Sequence, residues 1–78
     1  MQKKKREINE LEQIGINIRR IREQQKISRA QLAFEIETSE KQLSRIEYGE
    51  INSGIMTYIK IARVLNISFA ELLKKIKF

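Results

Sequence analysis

The chain has 78 residues, no cysteine, histidine or proline, and sixteen Lys and Arg against ten acidic residues, a net charge of +6. That length makes one domain near the lower limit of a self-sufficient core, and the missing side chains exclude disulfides, thiolate chemistry, zinc-finger ligation and histidine general bases. No apolar run is long enough for a membrane span, and the charged start lacks the apolar stretch of a signal peptide, so the expected location is the cytoplasm.

Residues 1–11 open with Lys3, Lys4, Lys5 and Arg6 and read as a basic arm, either solvated or lying along a polyanion. The domain proper is expected over 12–78. Ile14, Ile18 and Ile21 fall on one helical face and predict a first helix over 12–25, with Gly15 an interior cost of about 1 kcal/mol. Ser28, Ser39 and Ser68 are each followed three residues later by Gln31, Gln42 and Glu71, the pattern of a capping box. They predict helices over 28–36, 39–48 and 68–75. Gly49 suits the left-handed residue that closes the 39–48 helix. Ile55, Tyr58, Ile59, Ala62 and Leu65 mark another helix, with Ser53 as its expected cap. The result is an all-α chain of five helices. Only Glu37 and Thr38 separate the second from the third, so those two must cross steeply, as in a helix-turn-helix unit.

Residues 29–49 carry Leu32-Ala33, Leu43, Ser44-Arg45-Ile46-Glu47 and Gly49 at fixed spacing. This stretch resembles the helix-turn-helix of the phage repressor/Cro-like (XRE) regulators, and the resemblance runs from about residue 14 to residue 73. It implies a compact five-helix bundle of the lambda-repressor-like type. The implied activity is sequence-specific binding of double-stranded DNA in transcription regulation, typically as a repressor. No enzymatic activity, cofactor or metal is implied.

The residues fit that implication in their own right. On a helical wheel Leu43 and Ile46 point inward, Ala33 sits at the crossing of the two helices, and Lys41, Arg45 and Tyr48 point outward with Ser44 and Glu40 on the flank. Carried over from the family, base readout falls to Ser39, Glu40, Lys41 and Arg45. Arg45 and Lys41 can donate to guanine and Glu40 can only accept. Arg29 occupies the position that contacts phosphate, and Gln31, Gln42 and Tyr48 are candidates for the backbone. Arg22 and Glu47 match positions that often pair between the first and third helices.

Two features cut against simple agreement. Glu37 stands at a turn position usually filled by glycine, so a side chain is expected at positive φ. The charge is also uneven: residues 27–52 carry three basic and five acidic groups, whereas residues 1–26 and 53–78 are each net +4. The alternative reading is therefore a protein-interaction module, for example an antitoxin-type adaptor, with weak or no DNA binding. Ile76 and Phe78 suggest a homodimer through the C-terminal helix, or else fold back onto the core.

Overall fold

In the computed structural model, which describes residues 8–77, the chain forms five helices: α1 (Glu10–Gln24), α2 (Arg29–Glu35), α3 (Glu40–Glu47), α4 (Ile55–Leu65) and α5 (Phe69–Leu72). No strand occurs among the described residues. The basic run Lys3–Arg6 and Phe78 lie outside them.

Helix α1 begins two residues earlier than its apolar spacing indicates. Asn9 accepts the amide of Glu12 at 2.9 Å and the Glu12 carboxylate accepts the Asn9 amide at 3.1 Å, a capping box closed in both directions. The three serine boxes expected from sequence are less complete. Ser28 and Ser39 each accept from the amide three residues on, at 3.0 Å, without the return bond from the glutamine, and Ser68 caps α5 by backbone conformation alone. The cap of α4 falls on Gly54 rather than Ser53, whose amide instead donates to the Tyr58 hydroxyl.

The first four helices end alike. Lys26, Glu37, Gly49 and Asn66 all take positive φ, between 56° and 70°, and the residue after each donates back to a carbonyl five residues earlier: Ile27 to Arg22, Thr38 to Ala33, Glu50 to Arg45, Ile67 to Ala62. These paired bonds satisfy carbonyls that a helix end would otherwise leave open. Glycine fills one of the four positions. Glu37, at φ 59°, is the side chain at positive φ that the turn was expected to hold.

Left-handed backbone costs an L-residue about 1–2 kcal/mol, whereas glycine loosens the unfolded chain by up to about 1 kcal/mol. Glu37→Gly is thus expected to raise unfolding free energy, by less than about 1 kcal/mol, in a denaturant titration. A clear loss would mean the Glu37 side chain contributes contacts of its own.

The core is one cluster: Ile18 and Ile21 from α1, Leu32, Ala33 and Ile36 around α2, Leu43 and Ile46 from α3, Tyr58, Ile61, Ala62 and Leu65 from α4, and Leu72 from α5. Helix α4 buries Tyr58, Ala62 and Leu65 as its spacing indicates and adds Ile61 to that face, while Ile59 is half-buried and Ile55 exposed. Helix α5 stops at Leu72 instead of continuing to residue 75. Asn17 explains its end. Buried on α1, it donates through Nδ2 to the carbonyls of Leu72 and Lys74 at 2.8 and 2.9 Å, and Lys75 then turns to φ 68°. Gln25 does the same for α4, donating to the Leu65 carbonyl.

Candidate nucleic-acid interface

Helix α3 has two chemically distinct sides. Leu43, Ile46 and Glu47 are buried, whereas Glu40, Lys41, Gln42 and Arg45 are exposed and Ser44 is half-buried. Lys41 and Arg45 lie one turn apart, so their cationic ends share a face, with the Ser39 cap and Glu40 at its start. Gln31, on the first turn of α2, is exposed as well. The sequence-derived candidates on α3 thus form one surface. Arg29 is the departure: its half-buried guanidinium turns toward Glu47.

Glu47 is the centre of that engagement. Its carboxylate is wholly inaccessible to solvent, a placement that demands compensation because desolvating a carboxylate costs several kcal/mol. Arg22 grips it in bidentate fashion, Nε to Oε2 at 2.8 Å and Nη2 to Oε1 at 3.2 Å, and also donates through Nη1 to the Ile27 carbonyl. Arg29 adds a third bond, Nε to Oε1 at 3.0 Å. The Arg22–Glu47 pair expected between the first and third helices is therefore present, is buried, and includes the start of α2. The hydrogen bond from Arg29 to Glu47 raises the guanidinium's pKa above its ordinary value. A raised pKa gives stability that is complete below the unfolded value and lost only above it, so this contact is constant through physiological pH.

Two backbone features hold α3 against α1. Gly15 sits directly on the end of α3; a Cβ there would lie 2.0 Å from the Glu47 carbonyl oxygen. Gly49, at φ 70°, also passes close to the backbone of Glu12, whose amide nitrogen would lie 2.6 Å from a Cβ there. Beside them Arg19 donates through Nη1 to the Glu47 carbonyl, and its guanidinium carbon lies 4.4 Å from the centroid of the Tyr48 ring. Tyr48 is both the C-terminal cap of α3 and half-exposed. Its role as a helix cap and its place on the surface are thus compatible.

A family model described as helix-turn-helix matches residues 18–72, from the middle of α1 to the end of α5. The chain belongs to the helix-turn-helix family. Within that family, α2 and α3 with the Glu37–Thr38 turn are its helix-turn-helix unit. Two solved structures are similar. The restriction-modification controller protein C.AhdI from Aeromonas hydrophila is 27% identical, covering 80% of this chain and 94% of that one, with a TM-score of 0.76. The clp gene regulator ClgR from C. glutamicum is 24% identical, covering 86% of this chain and 87% of that one, and its TM-score of 0.81 speaks for the shared fold. No curated protein matches the sequence significantly.

Three contributors to the helix-turn-helix geometry escape a single-sequence reading: Arg19, the contact face of Gly15, and the second partner of Glu47. Arg19 was open to inference, since it lies one turn before Arg22 on α1; if Arg22 reaches Glu47, Arg19 must lie near the residue after it. No helix among the described residues is long and apolar enough to cross a membrane, and no group of three or more metal-ligating side chains comes together among them.

Proposed function

We propose that the protein is a sequence-specific double-stranded DNA-binding transcriptional regulator that reads the major groove with α3 and its caps. The observation that carries this reading is the exposed Lys41–Arg45 face, on a helix whose opposite side is locked to α1 and α2 through Glu47. A rigidly mounted helix with two cations one turn apart is suited to base-edge readout, while Ser39, Glu40, Gln42 and Ser44 flank it. Similarity to a controller protein and to a gene regulator supports the regulatory role.

The molecule acts in the cytoplasm as a homodimer on a two-fold operator, with half-sites about 34 Å apart. With α5 only four residues long, the apolar groove beside it is the better seam; Leu11, Ile14, Phe69 and Leu73 line it, next to exposed Ile55. The test is selection from random duplexes, followed by binding to the selected and a scrambled duplex over a range of salt. Arg45→Ala is expected to lose about 1–3 kcal/mol of discrimination at one base position while leaving scrambled-duplex affinity nearly unchanged. Equal losses on both duplexes would make Arg45 a phosphate contact.

A second reading has one observation of its own. Phe34 on α2 is 76% exposed and is followed by exposed Glu35 and Glu37, an apolar and acidic surface suited to a protein partner. A chain that bound duplex weakly at every salt concentration would favour that interaction role.

A further inference from the structure

Arg19, Arg29 and Tyr48 come from α1, α2 and the end of α3 and meet at one place. The guanidinium carbons of Arg19 and Arg29 lie 4.4 and 5.7 Å from the centroid of the same tyrosine ring. Each arginine is anchored to Glu47, Arg19 through the backbone carbonyl and Arg29 through the carboxylate. Each is half-buried, so part of each guanidinium reaches solvent.

The charges do not cancel. Arg22 and Arg29 flank the single carboxylate of Glu47 while Arg19 reaches only its backbone carbonyl, and no other ion pair to these arginines occurs among the described residues. Arg22 and Arg29 share one negative charge, while Arg19 has only a carbonyl dipole and an aromatic face. Arg29 spends Nε and Arg19 spends Nη1 on Glu47, which leaves the other N–H groups of two planar forks for an oxyanion. Their lost rotamer freedom is already spent in folding.

We infer that Arg19 and Arg29, braced on Tyr48 and Glu47, form a two-arginine clamp for a backbone phosphate of duplex DNA, with Arg19 as a contact additional to those on the helix-turn-helix unit. This rests on the proposed DNA-binding function. It makes Tyr48 a positioning residue that orients two cations, and Glu47 the anchor that fixes their spacing.

The test measures affinity of the full chain for one duplex at several salt concentrations, for the parent, Arg19→Gln, Arg29→Gln, the double variant and Arg19→Lys, each checked for an unchanged thermal midpoint. Each single glutamine variant is expected to flatten the slope of log K against log salt in part, and the double variant by about one phosphate contact, so that its affinity falls roughly 3.5-fold less per fourfold rise in salt. Losses should be equal on selected and scrambled duplex, and Arg19→Lys should keep the slope.

A purely structural role would lower the thermal midpoint and leave the slope alone. A second measurement does not depend on the variant being well folded. Neutral methylphosphonates placed singly along the duplex should reveal one position that weakens the parent and not the double variant. An unchanged slope in Arg19→Gln with no such position overturns the clamp, even while Arg45→Ala still relaxes specificity. A parent chain whose binding ignores salt would instead sink the DNA-binding function itself. Competition by free inorganic phosphate at millimolar concentration, without any effect of the duplex position, would assign the pocket to a small anion and overturn the clamp on DNA.

Discussion

Glu47→Ala should destabilise the domain by about 3–5 kcal/mol, the effect of leaving a buried charge without its partner. At roughly 0.05–0.15 kcal/mol per residue, a chain of this size has about 4–12 kcal/mol in total, so much of the fold's margin would go. The cause is Arg22 rather than Arg29. Arg22 is 7% exposed and loses two of its three bonds, whereas Arg29 is exposed enough to turn toward water. A double replacement, Arg22→Met with Glu47→Leu, removes both charges at similar volume and should recover most of the loss. Urea unfolding of the three variants measures the cycle. A loss below about 1 kcal/mol for Glu47→Ala would place the pair among ordinary surface contacts.

The second large effect is expected at Gly15. Alanine is a better helix former than glycine by about 1 kcal/mol, and an exposed Gly→Ala change in mid-helix would be stabilising. Here the new methyl meets the Glu47 carbonyl oxygen at 2.0 Å and its carbon at 2.5 Å, both backbone atoms that no rotamer change can move aside. Helices α1 and α3 must separate, and overpacking of this kind costs about 1–3 kcal/mol or more. The net loss should be about 2 kcal/mol, and the same separation pulls Glu47 away from Arg19 and Arg22. Denaturant titration of Gly15→Ala decides between the two effects. A gain in stability would show that helix propensity outweighs the contact.

Residues 28–49 were the most legible part of the sequence. Short spacing, two serine caps and a glycine stop constrain that region locally, and its apolar faces have few alternatives. Elsewhere the information is not local. A helical wheel gives the direction of a side chain from its own axis and nothing about what the neighbouring helix presents there. Gly15 therefore reads as a defect until the Glu47 carbonyl is seen beside it. Apolar periodicity alone starts α1 two residues late, because the signal for its start is polar, the Asn9–Glu12 box that closes at the helix's first turn. The end of α5 is not legible from its Ser68–Glu71 start signal, because Asn17, more than fifty residues away, takes up the carbonyls of Leu72 and Lys74. Among the candidate residues, the shared exposed face of Lys41 and Arg45 needed only α3. Arg19 and the inward turn of Arg29 needed three helices at once.

Asn17 has a consequence for the order in which the fold is completed. Its partners at Leu72 and Lys74 are 55 and 57 residues away, so the bonds join the first helix to the last. Contacts between α2 and α3 are local in the chain and close small loops, whereas this one closes a loop of more than fifty residues. Until residues 72–74 come into place, the Asn17 amide is expected to stay hydrated and α1 without its partner. The local pairing of α2 with α3 is thus expected to form before the long-range bond from Asn17.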